Sequence, residues 1–318
     1  MQYRSTRGSK ENTLTAPQAI IQGLAQDGGL YVPVAFPQAN FKLEDLSKLS
    51  YKQIAAMVIS LFFDDFTKEQ ITTAVKSAYS EQWDDRSIVP IEKHDNRFYM
   101  ELFHGPTLAF KDIALQMLPQ LMTRAVQIEK IAKDIIILTA TSGDTGTASM
   151  RGFANQKGTD VIVFYPEGGV SPVQLKQMLS QRGNNLRAIA IKGNFDDAQT
   201  EVKKIFNDDS FKNRLNANGY QFSSANSMNI GRLVPQISYY LYTYGQLVRR
   251  QEIKLGDEVN FAVPTGNFGE VLAGYYAKKL GLPIKKLICA SNENNVLTDF
   301  FNNGVYDKRR KFHLTNAP

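Results

Sequence analysis

IIILTATSGDTG, residues 135–146, joins an apolar run to a loop of hydroxyl and glycine residues, and an amphipathic stretch, residues 147–156, follows. Runs rich in Ile and Val are typical of strands buried on both faces, as in parallel sheets. Amphipathic stretches separate five further runs of this kind: residues 160–166, 185–191, 220–226, 259–264 and 285–290. This alternation predicts an α/β fold in which right-handed crossovers connect parallel strands.

The first 90 residues have a different pattern. Apolar residues recur at steps of three and four in residues 17–24, 43–63 and 67–79, which predicts helices. The change of pattern suggests a helical N-terminal domain and two sheet-containing domains. Their expected bounds are 1–90 for the helical domain, 91–130 with 225–318 for a large domain, and 131–224 for a small α/β domain.

The composition excludes several classes of function. Lys and Arg give a net charge of +6 but are dispersed along the chain, so we expect no nucleic-acid binding. The single cysteine, Cys289, excludes an intrachain disulfide and suits a cytoplasmic protein. The histidines show no metal-binding spacing, so we expect no metal. No apolar run reaches the roughly 18 residues of a membrane helix, and the start of the chain lacks a signal-peptide pattern, so we expect neither membrane insertion nor export.

HGPTLAFKD, residues 104–112, places a single lysine at the end of an apolar run. Because Lys111 follows Leu108, Ala109 and Phe110, we expect its ammonium to be poorly solvated, and desolvation lowers the pKa of an amine. A neutral amine is a nucleophile that forms Schiff bases with carbonyl compounds. Spacing alone also fits a lysine that packs its stem and extends its charge into water.

Two loops follow strands, at the positions where α/β sheets bind ligands. They are TSGDTG, residues 141–146, and PTGNFG, residues 264–269, and a helical pattern follows each. Helix N-termini favour anions, and glycines let the backbone approach a phosphate closely. Each loop alone also fits an ordinary helix cap with a tight turn. Neither matches a nucleoside triphosphate or dinucleotide motif.

Together these blocks resemble one family. HGPTLAFKD, ILTATSGDTG, SANSMNIGRLVPQ at 224–236 and PTGNFGEVLAGYYAKKLGLP at 264–283 are similar to consecutive blocks of threonine synthases. The similarity runs through essentially the whole chain. It implies pyridoxal 5′-phosphate (PLP) as cofactor and the fold shared with tryptophan synthase β-subunits and cysteine synthases, known as fold type II. In that fold two lobes with parallel or mixed sheets accompany the helical N-terminal lobe.

The resemblance also implies site residues. Lys111 is expected to form the Schiff base with PLP and to act as the catalytic proton-transfer group. Asp144 stands where many members of the wider fold group carry an Asn beside the 3′-oxygen of PLP. The residues expected to bind the PLP phosphate are Thr265, Gly266, Asn267, Phe268 and Gly269. The residues expected to bind the substrate carboxylate are Thr141, Ser142, Gly143, Thr145 and Gly146.

The reaction implied by the resemblance converts O-phosphohomoserine and water to L-threonine and phosphate. Arg232 is the candidate for binding the substrate phosphate, because a guanidinium group holds phosphate through two hydrogen bonds. Asn226, Ser227 and Asn229 lie close to it in sequence. Spacing alone also fits a helix-surface arginine.

Alternative functions remain open at this point. One is another PLP-dependent lyase of the same fold, such as a threonine dehydratase. The other is a catalytically silent protein that binds PLP or a phosphorylated amino acid. We expect a monomer or homodimer that acts on a small molecule.

The C-terminus departs from the family pattern. The chain ends at HLTNAP, whereas the family continues with a part that supplies a Ser/Thr-type partner of the pyridine nitrogen. We therefore expect an incomplete large domain and low activity of the 318-residue chain.

Overall fold

The N-terminal part combines a small sheet with helices. The computed structural model describes residues 1–8, 12–307, 309–311 and 313. Three antiparallel strands pair in the order β2-β1-β3: β1 (Tyr3–Ser5), β2 (Thr13–Leu14) and β3 (Tyr31–Pro33). Three helices surround them: α1 (Ala16–Gln22), α2 (Tyr51–Phe62) and α3 (Lys68–Ala78).

Local capping explains where these helices begin. The side chains of Thr15, Ser50 and Thr67 each accept a hydrogen bond from the backbone N–H three residues later. That later residue is a glutamine in each case, and its side-chain oxygen accepts a hydrogen bond from the backbone N–H of the cap residue. The predicted helix 43–63 is therefore divided, because Ser50 starts a new helix after the 3₁₀ turn Leu43–Ser47. The prediction of a mainly helical N-terminal domain did not include the three-stranded sheet.

The lysine-bearing segment follows a hairpin. Strands β4 (Ile91–His94) and β5 (Arg97–Met100) pair antiparallel. The chain then forms the short helix α4 (Asp112–Leu115), with Lys111 at its N-cap position, and the longer helix α5 (Met117–Ile128).

A four-stranded parallel sheet forms the middle of the chain, in the order β8-β7-β6-β9. Its strands are β6 (Asp134–Ala140), β7 (Thr159–Pro166), β8 (Leu186–Ile191) and β9 (Tyr220–Ser224). The connecting helices are α6 (Asp144–Phe153), α7 (Pro172–Leu179), α8 (Phe195–Asn207) and α9 (Asp209–Ala217). The sequence patterns predicted all four strands to within two residues at each end.

The last part is built around one buried helix. Every residue of α10 (Ile230–Arg249) from Ile230 to Leu247 is buried. Strands β10 (Val259–Pro264) and β11 (Ile284–Ala290) pair in parallel, with α11 (Gly269–Lys279) between them in sequence, and α12 (Val296–Asn303) follows. The core joins α10 to α2, α5 and α11, so the residues at the start of α10 are held rigidly.

The predicted α/β architecture with parallel strands is observed. The four-stranded sheet lies inside the interval 131–224 proposed for the small domain, but the three-domain division stays a prediction. The last residues assigned to the large domain, 314–318, lie outside the described residues. Within the described part of the chain, no helix is long and apolar enough to cross a membrane.

Candidate active site

A buried carboxylate fixes the turn before Lys111. Asp112 is fully buried and accepts hydrogen bonds from the Thr107 backbone N–H at 2.8 Å and the Thr107 hydroxyl at 2.7 Å. Burial raises the pKa of Asp112, and the two bonds from Thr107 oppose this effect. Gly105 packs against the same carboxylate, because a Cβ there would lie 2.6 Å from Asp112. The segment before the lysine therefore has one conformation.

His104 connects this segment to its neighbours. Its Nδ1 lies 2.7 Å from Asp84 Oδ1 and its Nε2 lies 2.8 Å from Glu101 Oε2. Burial lowers the pKa of His104, but the bonds to Glu101 and Asp84 outweigh burial, so the pKa is raised overall. The imidazolium form of His104 therefore stabilises the chain segment that leads to Lys111.

Lys111 faces a carboxylate rather than an apolar enclosure. Its side chain is 19% exposed, and its Nζ lies 3.2 Å from Asp144 Oδ2. This low exposure agrees with the expectation that the ammonium is poorly solvated, although Leu108 of the preceding apolar run is itself 65% exposed. The ring of Phe110 remains close, with Nζ 5.2 Å from its centroid.

Asp144 is held from its other side by a residue that the sequence did not indicate. The side-chain amide of Gln174, on α7, donates to Asp144 Oδ1 at 2.6 Å. Gly143 permits this contact, since a Cβ there would lie 2.5 Å from the Gln174 amide. Lys111, Asp144 and Gln174 thus form one hydrogen-bonded row across three elements.

The loop 141–146 uses part of its own hydrogen-bonding capacity. The Thr141 hydroxyl accepts the backbone N–H groups of Gly143 and Gly146, each at 2.9 Å. Those two groups are therefore not free for a ligand, contrary to the sequence-based argument. Ser142 and Thr145 remain along the cavity wall, close to the start of α6.

Some residues of the loop 264–269 fix its conformation, and others line a cavity. Thr265 donates its hydroxyl to the Ala290 carbonyl at 2.8 Å, and Phe268 stacks on Phe301 with ring centroids 6.1 Å apart. Gly266 has φ 46°, a left-handed conformation that favours glycine. The residues of this loop that line the cavity are Gly266, Asn267 and Gly269.

Arg232 is a buried arginine with an unused donor. It lies in the first turn of α10, is 4% exposed, and donates from Nη1 to the Ala225 carbonyl at 2.9 Å. Among the described residues, neither Arg232 Nε nor the buried Asn226 Oδ1 has a hydrogen-bond partner. Burial lowers the pKa of Arg232 to about 10, while Glu270 raises it, so the group stays charged at neutral pH. The helix-surface reading of Arg232 is excluded.

Asn229 has a structural role instead of the expected substrate contact. Its amide donates to the Ile20 and Ser224 carbonyls, each at 2.9 Å, and its Oδ1 accepts the Gly231 N–H at 2.8 Å. It is fully buried and caps α10. Because these partners occupy its polar atoms, it has no group left for a ligand.

One cavity of about 120 Å³ brings most of the expected site residues together. The expected residues that line it are Lys111, Thr141, Ser142, Thr145, Asn226, Ser227, Arg232, Gly266, Asn267 and Gly269. The sequence-based argument missed Phe110, Ala140, Phe195, Gln199, Met228, Gln236 and Glu270. Phe195 and Gln199 lie on α8, outside the sequence blocks quoted above, whereas the other five lie inside those blocks and were not singled out there. Within the described ranges no group of His, Cys, Asp or Glu could hold a metal ion.

The lining fits a phosphorylated ligand that carries a carbonyl group. The cavity offers one amine, one buried guanidinium with a free donor, and a glycine turn at the N-terminus of α11. Helix N-termini stabilise anions through their unpaired N–H groups. The orphaned Asn226 Oδ1 and Arg232 Nε indicate a polar ligand, since buried polar atoms in proteins are nearly always paired.

The chain matches known families over most of its length. A model described as "Threonine synthase N terminus" matches residues 2–79, and one described as "Pyridoxal-phosphate dependent enzyme" matches residues 91–315. Threonine synthase from Saccharomyces cerevisiae is 38% identical over 331 residues, which cover 99% of this chain and 63% of that protein. The chain thus spans 63% of the length of this curated relative.

Solved structures agree with the sequence matches. The crystal structure of PLP-bound threonine synthase from Brucella melitensis superposes with a TM-score of 0.87 and 39% identity, covering 99% of this chain and 66% of that chain. Threonine synthase from Escherichia coli superposes with a TM-score of 0.85 and 34% identity, covering 100% of this chain and 70% of that chain.

Proposed function

Since the chain belongs to the threonine synthase family of pyridoxal-phosphate-dependent enzymes, we propose that it binds PLP at Lys111 and converts O-phosphohomoserine and water to L-threonine and phosphate. The observation that carries this proposal is the meeting of Lys111, the 266–269 loop and Arg232 in one cavity. Lys111 and the 266–269 loop suit a cofactor with an aldehyde and a phosphate, and Arg232 suits a second phosphate.

Two parts of the cavity would hold the cofactor. The amine of Lys111 attaches to the PLP aldehyde, and the turn from Gly266 to Gly269, with the N-terminus of α11, binds the PLP phosphate. When bound, PLP withdraws electrons and so stabilises negative charge next to the substrate amine. Thr265 and Phe268 support the turn through their contacts with Ala290 and Phe301.

Lys111 is also the group best placed to move protons. When not bonded to the cofactor, its amine would accept a proton from Cα of the substrate and transfer protons at Cβ. Asp144, 3.2 Å from Nζ, stabilises the ammonium form and limits its positions. Gln174 holds Asp144 from the other side, so the row positions the lysine for both transfers.

The substrate anions have separate sites in this proposal. Ser142 and Thr145, next to the N-terminus of α6, bind the substrate carboxylate. Arg232, with Asn226 and Ser227, binds the substrate phosphate through its free Nε donor. The phosphate is the leaving group, so its binding to a fixed cation also stabilises the charge that develops as the bond breaks.

The wider biology belongs to the same proposal. We place the reaction in the cytoplasm, with a small molecule as substrate and without nucleic acid or membrane as partner. We propose a monomer or a homodimer.

The direct test measures threonine and phosphate produced by the purified protein with PLP and O-phosphohomoserine. We expect both products in equal amounts, and none from Lys111→Ala. Lys204→Ala removes an exposed lysine paired with Glu201 and serves as the matched control with unchanged turnover. Formation of 2-oxobutanoate and ammonia from threonine would support a dehydratase instead, and PLP binding without turnover of either compound would support the silent protein.

A further inference from the structure

A buried carboxylate lies inside the cavity that we propose binds two phosphates. Glu270, the second residue of α11, is 8% exposed and lines the same cavity as Lys111 and Arg232. A Cβ placed on Gly266 would overlap Glu270 Oε1. The carboxylate is therefore folded back against the glycine turn, where it also accepts a hydrogen bond from its own backbone N–H.

This position is the one expected for a bound anion. The unpaired N–H groups at a helix N-terminus and a glycine turn are what a phosphate group uses. The Glu270 carboxylate lies against Gly266 of this turn, so a negative charge already stands beside the proposed phosphate site. The Tyr240 hydroxyl donates to the Glu270 carbonyl at 2.7 Å and so fixes the backbone of this residue.

The charges around Glu270 are mixed. Burial raises its pKa, while its own N–H, Lys111 and Arg232 oppose that effect. The neighbouring titratable and charged groups are Lys111 at the start of α4, Arg232, Tyr239 and Tyr240 on α10, and Cys289 on β11, whose thiol lies 3.4 Å from Thr265 Oγ1. Lys111 is itself in contact with Asp144.

We propose that Glu270 is a built-in anion of the cofactor-phosphate site, and that binding of a phosphate monoester at the glycine turn makes Glu270 take up one proton. This inference rests on the proposed function, because it takes the turn from Gly266 to Gly269 as the phosphate site.

The proton changes the role of the side chain. An ionised carboxylate only accepts hydrogen bonds and repels a phosphate dianion, whereas a protonated carboxyl can donate one bond to a phosphate oxygen. Two anions that share a buried site do not both stay ionised, so one proton is taken up. Burial of Glu270, which raises the pKa of its carboxyl, favours this side chain over the phosphate as the group that takes it up. In its ionised form the carboxylate partly balances the positive charges of Lys111 and Arg232.

Linked protonation gives a measurable pH dependence. Above the pKa of Glu270 in the free protein, the affinity for a phosphate monoester falls up to about tenfold per pH unit, beyond any effect of the ligand's own titration. Glu270→Gln keeps the size of the side chain and a hydrogen-bond donor but has no proton to take up. Its affinity should therefore exceed that of the wild type by a ratio that grows with pH.

The test uses pyridoxine 5′-phosphate, which carries the phosphate but has no aldehyde to react with Lys111. Calorimetric titrations of the wild type and Glu270→Gln, from about pH 6 to about pH 9, give both affinities, and buffers with different ionisation enthalpies give the protons taken up. We expect the wild type to take up close to one proton more than Glu270→Gln above neutral pH. The number of protons taken up by Glu270→Ala should equal that of Glu270→Gln. This agreement would show that the result does not depend on how the glutamine side chain packs.

The matched control is Glu252→Gln, which changes a glutamate paired with Lys93 outside the cavity lining and should behave as the wild type. Equal proton counts and parallel pH profiles for wild type and Glu270→Gln would overturn the proposed role of Glu270 but not the proposed PLP site. If all folded variants and the wild type fail to bind pyridoxine 5′-phosphate, the PLP site fails, and the inference fails with it.

Discussion

Replacing Arg232 by lysine tests the substrate-phosphate site while it keeps a positive charge. Lysine has no planar fork, so it cannot reproduce both the Nη1 bond to the Ala225 carbonyl at 2.9 Å and a contact from the Nε position. Hydrogen bonds to charged groups contribute about 1.5–3 kcal/mol. We therefore expect kcat/KM for O-phosphohomoserine to fall roughly ten- to hundredfold.

The fold should tolerate this change. The loss of the bond to Ala225 should lower the free energy of unfolding by about 0.5–1.5 kcal/mol. Affinity for PLP should change by less than about threefold, because the cofactor phosphate is assigned to the other loop. The assay combines phosphate release at saturating PLP with a spectroscopic PLP titration and a thermal denaturation curve.

Arg124→Lys is the matched control. Arg124 is partly buried, whereas Arg232 is buried, but it likewise donates from Nη1 to a backbone carbonyl, that of Gln120 at 2.7 Å, and it does not line the cavity. Arg124→Lys should lower the free energy of unfolding by a similar amount and leave kcat/KM unchanged. If Arg232→Lys loses PLP instead, Arg232 serves the cofactor. If its kcat/KM equals that of the control, the substrate phosphate binds elsewhere and the assignment is wrong.

Three further predictions concern the lysine and its surroundings. Borohydride reduction with PLP should label Lys111, as mapped by peptide mass spectrometry, and labelling confined to another lysine would contradict the site. Gly266→Ala should weaken PLP binding more than Gly168→Ala, although both glycines have positive φ and the backbone conformation alone costs each change about 1–2 kcal/mol of stability; only the Cβ at position 266 must also displace the Glu270 carboxylate, and equal PLP titrations would contradict the phosphate loop. The difference in free energy of unfolding between the wild type and His104→Gln should be largest below the ordinary histidine pKa of about 6.5, because the pKa of His104 is raised in the folded protein. The wild type should lose this advantage as the pH rises through the folded pKa. A pH-independent difference in urea denaturation would show that the flanking carboxylates do not act through the imidazolium.

Long periodic patterns made much of the fold predictable. The bounds of β6 and β7 differ by a residue from the predicted runs, because these largely buried parallel strands carry a nearly unbroken apolar signal. The bounds of β10 agree with the predicted run 259–264, although in that strand only Val263 is buried. The family resemblance and the fold class are confirmed by the family matches and superpositions. The strands β1, β2 and β3 were missed, since two or three residues are too few to show periodicity.

The site was only partly predictable, because its contacts join distant parts of the chain. The row from Lys111 through Asp144 to Gln174 spans three elements and leaves no local motif. Asn229 lies in a motif-rich segment, but its role as a cap depends on the Ile20 carbonyl, which is remote in sequence. The burial of Arg232 follows from α10 being enclosed on all sides, which a charged residue near a helix start does not reveal.

The central claim is that the protein makes threonine by loss of phosphate and addition of water at Cβ. The reaction of O-phosphohomoserine in ¹⁸O-labelled water, followed by mass spectrometry of both products, tests it directly. We predict threonine with one ¹⁸O in its hydroxyl group and phosphate without label, because elimination breaks the carbon–oxygen bond. Homoserine with ¹⁸O-labelled phosphate, or the absence of labelled threonine from PLP-loaded protein, would contradict the account.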